Sequence, residues 1–307
     1  MTSFRYHVVS LAAVFLALAV GILLGSGPLR SALEQSLGED VNTLQQQVDD
    51  AQAAVSDAQA QAVVGTDFAN ELRPALLDGR LAGVSIALVS VSAPADSEVE
   101  AVRQALVDAG ATVTADVTIE AAWTDSSQNT FRAALAEQVA GQVTGVDSAA
   151  TSSDRMLAHA LAQALVPASD QASAQGGVLL DLLKQADLVS GTVTGSATAI
   201  VVVSGAGSDN EDARAAASDS LANVVGVLSG YVQGTVEAQG ATATGDLASA
   251  LHNTPDTAAI STVVEADTVY GQIATSLALA EQVTGGSGHY GAGSDGTLLP
   301  QSMLAGG

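Results

Sequence analysis

Histidine and methionine are the side chains in this sequence best suited to a soft or borderline metal, and they are sparse: four His, three Met and no Cys. The histidines, His7, His159, His252 and His289, are scattered. Met156 and His159 lie three apart on a predicted helix, hence on one face, where they could supply two copper ligands. With so few methionines, chance is the better account of that spacing. His289, in a Gly-rich stretch, is the other candidate. Without cysteine there is neither a disulfide framework nor a thiolate metal site. Carboxylates are plentiful, but Asp209-Asn210-Glu211-Asp212 lacks the loop glycine and terminal Glu of a calcium loop. Ser204-Gly205-Ala206-Gly207-Ser208-Asp209 stands between a predicted strand and a predicted helix, where a dinucleotide fold holds phosphate. Here the third glycine position is Asn210, and Glu211 and Asp212 would face the phosphate with negative charge. A tight strand-to-helix turn is therefore expected. No Walker loop, G-x-S-x-G elbow or H-E-x-x-H is present. The expectation is a non-enzymatic protein without a cofactor, with copper the one ligand left open. Trp123, the only tryptophan, reads as a core or edge anchor.

The elements that would position these residues begin with an apolar run. From Val8 to Leu24 there is one polar residue, Ser10, and no charge. Extended over 8–29 it makes roughly 33 Å of helix, enough for a hydrocarbon core of about 30 Å. Val8, Leu11, Val14, Phe15, Leu18 and Ile22 are the expected lipid-facing anchor. Arg5 and His7 precede the run and Glu34, Glu39 and Asp40 follow it. The positive-inside rule then puts residues 1–7 in the cytoplasm and the rest of the chain outside the plasma membrane, in a single pass. A cleaved signal peptide would have a shorter apolar core and a small-x-small site, which Gly25-Ser26-Gly27-Pro28 matches poorly. Over 32–75 apolar positions then step by four and three. Leu37, Leu44, Ala51 and Ala58 take d; Val41, Val48, Val55 and Ala62 take a. β-branched a with Leu at d favours a parallel two-stranded coil, so the seam Leu37, Val41, Leu44, Val48, Ala51 and Val55 is the expected partner interface, in a homodimer or hetero-oligomer. A helix folding back on its own domain is the other reading.

Gly65 and Pro74 mark the expected end of the stalk. Across 79–284, strand signals at 84–91, 111–119, 197–203, 235–238 and 259–264 alternate with helical ones at 97–109, 129–143, 153–165, 177–186, 212–232, 246–251 and 268–284. This predicts an α/β domain with a mainly parallel sheet flanked by helices. The Gly-rich tail over 285–307 is expected to be mobile or draped on the surface. Aromatic residues are 3% of the chain, so the core must be built from small side chains. Nine basic against 33 acidic residues give a net charge of −24, all of it downstream of the anchor. Such a surface repels nucleic acid and anionic polymers and suits cations or basic partners, although solubility alone would also account for it.

The run from Arg5 to Gly27 (RYHVVSLAAVFLALAVGILLGSG) resembles the start of the actinobacterial MctB family, called the copper transport outer-membrane protein family. Val264-Glu-Ala-Asp-Thr268, Leu277-Ala-Leu-Ala-Glu-Gln282 and Gly288-His-Tyr-Gly291 resemble its C-terminal part. The resemblance implies a copper-linked envelope role. For corynebacterial relatives similar to the SteB cell-separation factors, it implies a membrane partner and control of a peptidoglycan hydrolase. An outer-membrane barrel would need short alternating strands and aromatic girdles, whereas this chain has one long apolar helix. A copper handler is expected to show Met or Cys clusters or paired His, and none stands out in the sequence. The expected function is thus a membrane scaffold in cell separation, binding a partner through the coiled coil and acidic domain. A copper transport or homeostasis component is the alternative.

Overall fold

A computed structural model describes residues 3–25, 28–240, 243, 246–291 and 297–304. By internal contacts the chain forms two units, residues 1–65 and 66–307. The first holds helix α1 (Ser3–Gly25) and most of α2 (Pro28–Leu77). Within α1, Phe4–Leu23 is long and apolar enough to cross a membrane. The anchor residues Val8, Leu11, Val14, Phe15, Leu18 and Ile22 are all exposed along it. In α2 the heptad positions Val41, Leu44, Val48 and Val55 are exposed by 61, 60, 48 and 56%, and Ala51 is exposed too. Among the described residues no helix lies against this apolar stripe, so the expected coiled coil is not shown within the single chain. Leu37 is helical, but its side chain lies outside the described residues.

Gly65 and Pro74 predict the end of the stalk, whereas α2 continues to Leu77. Glycine in a helix costs about 1 kcal/mol, and here packing overrides it. Ala69 and Leu77 are buried in the core of the second unit, and Arg73 pairs with Asp108 at 2.9 Å.

The second unit continues β1 (Ser85–Val91), α3 (Asp96–Asp108), β2 (Thr112–Ile119), α4 (Asn129–Ala140), α5 (Ser153–Leu165), α6 (Asp170–Gln185) and β3 (Val189–Val193). It ends with β4 (Ala199–Ser204), α7 (Glu211–Ser229), β5 (Gly234–Gln239), α8 (Asp246–Asn253), β6 (Ser261–Val263), α9 (Val269–Val283), β7 (His289–Tyr290) and α10 (Gln301–Leu304). The strands make one sheet in the order β3-β2-β1-β4-β5-β6-β7, parallel except where β3 pairs antiparallel with β2. β3 and β7 were not foreseen. Val189-Ser-Gly-Thr-Val193 is an edge strand with three exposed residues, and β7 lies inside the Gly-rich tail. Neither has the apolar run of a central strand. β1 and β4, buried almost throughout, have it.

Alternation along the strands divides the core between two faces. Ala87, Val89, Val117 and Val202 pack under α4–α8, while Ile86, Leu88, Val201 and Val236 pack under α3, α9 and the end of α2. Trp123 is fully buried in the first cluster. α9 comes very close to the chain beside it: a Cβ on Gly271 would overlap the backbone of Glu265 and Ala266.

The sheet reverses its order between β1 and β4, and the Ser204–Asp209 turn sits there. The Gly205 amide donates to the Val91 carbonyl at 3.0 Å, and Gly207 donates to Ser92 at 3.1 Å. Gly207 has φ +69°. A Cβ on Gly205 would lie 2.5 Å from the backbone of Ala93 and Pro94. These glycines join two crossover loops, as a tight turn requires. Gly205→Ala should therefore lower stability by about 2 kcal/mol, measured by urea unfolding of the full-length chain in detergent. An unchanged midpoint would contradict this packing.

Candidate metal-binding site

The Gly288-His-Tyr-Gly291 segment is seated at the sheet edge by its glycines. A Cβ on Gly288 would overlap the Tyr290 hydroxyl, and one on Gly291 would overlap the Val264 side chain. Gly291 also has φ +121°, a conformation that L side chains rarely adopt. The Thr262 amide donates to Gly288 at 3.2 Å and the Val264 amide donates to Tyr290 at 3.0 Å. Below the sheet, the Tyr290 hydroxyl donates to Glu281 Oε2, and Ser302 Oγ donates to Glu281 Oε1. Burial and the Glu281 carboxylate push the Tyr290 phenol far above its ordinary range. It stays a neutral donor that fastens the strand.

With Tyr290 turned into one core, the alternation of β7 turns His289 to the opposite face, in register with Thr262. There the Thr262 hydroxyl meets His289 Nδ1 at 2.8 Å. That contact occupies one ring nitrogen and leaves Nε2 for another partner. α8 lies over the same face, with Leu247 and Leu251 in the core and His252 in its last turn. The rings of His252 and His289 stack with centroids 3.6 Å apart and planes at 40°. His289 is half-buried and His252 exposed. Burial first, and the neighbouring His252 second, lower the pKa of His289 below the ordinary histidine value. At neutral pH it is therefore held as the neutral imidazole that ligates metals.

The sequence had suggested no paired histidines; the fold supplies a pair. His252 was not a candidate because nothing in spacing connects it to His289. Only the placement of α8 over the edge of the sheet does so. The other candidates are occupied otherwise. Met156 is buried in the core, and His159 Nδ1 meets the Tyr231 hydroxyl at 2.9 Å. Burial, then Arg155, lowers the His159 pKa too, and Gln163 completes that network by donating to the Thr144 carbonyl at 2.7 Å. Among the described residues no three His, Asp or Glu side chains converge on a common metal position.

The features that define the class of protein are a helix long and apolar enough to cross a membrane, an acidic α/β domain and an imidazole pair at the edge of its sheet. Residues 1–300 match the family described as "Copper transport outer membrane protein, MctB", and the chain belongs to that family. It is similar to "Copper transporter MctB" of Mycobacterium leprae (strain TN), 29% identical over 315 residues, with 97% of this chain and 99% of the relative covered. The protein of the same name from Mycobacterium tuberculosis (strain ATCC 25618 / H37Rv) is 29% identical over 307 residues, covering 95% of this chain and 97% of the relative.

Since the folded state depresses the His289 pKa, the unfolded chain takes up that proton more readily. Stability from this group is lost as pH falls through the histidine range. In an NMR titration His289 should titrate below an ordinary histidine, and His252→Ala should move it upward by removing the second ring. An unmoved His289 value in that variant would show that the rings do not interact.

Proposed function

We propose that this chain is a membrane-anchored, non-enzymatic copper-binding component of the cell envelope, with the metal as cargo ligated by ring nitrogens of His252 and His289. The carrying observation is that the fold brings two imidazoles together, ring centroids 3.6 Å apart, with Thr262 fixing one ring through Nδ1. The name of the relatives, copper transporter, supports the choice of metal. So does the general order of affinities, which peaks at copper for nitrogen ligands. α1 holds the chain in the plasma membrane with the N-terminus in the cytoplasm, and the acidic domain lies outside. The positive flank at Arg5 supports that orientation. Nothing observed favours the cell-separation role that the sequence reading put first.

In copper titrations of the full-length protein in detergent, about one ion per chain should bind. His252→Ala and His289→Ala should each abolish it, and His159→Ala should leave it intact. Thr262→Val, which removes the hydroxyl at Nδ1, should weaken binding about tenfold. Binding retained in both His252→Ala and His289→Ala would overturn the assignment.

A second reading rests on the exposed Val41, Leu44, Val48 and Val55 stripe. Its heptad spacing supports assembly through α2, with a second copy or with the helix of a membrane partner. Leu44→Asp should abolish the cross-linked species recovered from membranes. The same yield from that variant would remove the seam as an interface.

A further inference from the structure

The seam of α2 is bordered by glutamines rather than acids, in a chain whose net charge is −24. With Val41, Val48, Val55 and Ala62 at a and Leu44, Ala51 and Ala58 at d, the flanking e and g positions fall on Asp40, Gln45, Gln47, Gln52, Ala54, Gln59 and Gln61. Apart from Asp40 these are neutral, and all of the neutral ones but Ala54 are glutamine. The other acids of this stretch, Asp49, Asp50 and Asp57, take b and c positions, outside the flanks. Every one of these side chains is exposed. Gln45 donates to Asp49 at 3.1 Å along its own helix.

In a coiled coil the e and g residues set partner choice. A basic helix laid on this seam would find only Asp40 to pair with. In two parallel copies in register, each g residue faces the e residue of the other copy's next heptad. Asp40 then meets Gln45, Gln47 meets Gln52, and Ala54 meets Gln59, so no acid of one copy faces an acid of the other. A side-chain amide both donates and accepts, which makes glutamine complementary to itself. Valine at a favours two strands. The seam is also bounded: Gly65, at the next d position, has no side chain to contribute, and Ala69, at the next a, is buried in the core of the second unit. What remains is about three heptads, or roughly 32 Å of helix. With alanine at two of its d positions, so short a coil is marginal in water. Anchoring both copies in one bilayer through α1 offsets this by raising their effective concentration, and it imposes the parallel order.

We propose that α2 pairs with α2 of a second copy of this chain, parallel and in register over residues 41–62, and that the membrane sustains the pair. The proposal rests on the seam reading given above and names its partner: an identical helix, selected by neutral, self-complementary flanks rather than by opposite charge. It does not depend on the copper reading.

The chain has no cysteine, so single thiols report contacts without background. Ala58→Cys puts a thiol at d, and Ala60→Cys puts one at f, away from the seam; both positions are exposed and the substitution is small. Each purified full-length variant is placed in phosphatidylcholine liposomes, with no other protein, and oxidised with diamide. Ala58→Cys should give a disulfide-linked species of two chains, in a yield about fivefold or more above that of Ala60→Cys, because a disulfide needs closely approaching backbones. An antiparallel pair centred on the same seam would set residue 58 against residue 45 and give no such product. On the Ala58→Cys background, Gln47→Glu with Gln52→Glu creates repelling g–e′ contacts and should lower the yield about threefold. Gln47→Lys with Gln52→Glu, which pairs opposite charges there, should not lower it. Equal yields from Ala58→Cys and Ala60→Cys, or a yield that ignores the paired glutamates, would overturn the pairing. So would the lack of a two-chain product in liposomes, and native membranes then decide the fate of the seam. If Ala58→Cys cross-links there to a different protein, the seam stands with another partner; if it cross-links to nothing, the seam reading fails too.

Discussion

Burial of a mainly parallel sheet on both faces by helices poor in aromatic side chains is the constraint on which the α/β unit depends. Small residues bring backbones close together, and closeness fixes positions that larger cores leave adjustable. Gly205 locks the β4 turn against the β1 loop, Gly271 admits α9 beside Glu265, and Gly288 and Gly291 seat β7 against β6. The imidazole pair follows from the last of these contacts. Were β7 shifted by one residue, His289 would turn into the core and Tyr290 outward. The Tyr290–Glu281–Ser302 hydrogen bonds oppose such a slip from the buried side.

Charge is distributed unequally between surface and interior. The surface is strongly acidic, yet the buried ionisable groups differ in how they are satisfied. Arg132, buried beside α5, is held by Asp154 at 3.1 Å, by the carbonyls of Ala122 and Asp125, and by Asn129. Glu281 accepts from two hydroxyls. Glu98 and Glu237 each keep an oxygen without a partner, which is why they stand out from a background of structural polar contacts. Their raised pKa has a consequence for folding as well. A carboxyl held near 7 stabilises the folded state fully below its unfolded value, and that contribution is lost as pH rises through 7.

The N-terminal unit works by a different physics. α1 is apolar on all sides, as lipid demands, whereas α2 is polar except for one stripe. The part of α2 before Gly65 exposes its described residues along its length, whereas its last turns pack in the second unit. A second helix laid on its exposed apolar stripe, as proposed above, would couple assembly to helix stability.

The sequence by itself determined the elements whose signal is local. The apolar run of α1, the buried runs of β1 and β4, the periodic helices between them and the parallel class of the sheet all follow from residue type and spacing. The turn at Ser204–Asp209 was legible for the same reason, since Glu211 and Asp212 speak against phosphate within the motif itself. Tertiary structure alone decided the rest. β3 and β7 are edge strands whose sequences lack an apolar run, and they form because a neighbouring strand offers its hydrogen-bonding groups. His252 and His289 meet only through the order of the strands and the placement of α8. Those partners are distant in sequence, and a pairing between distant residues leaves no periodicity to read.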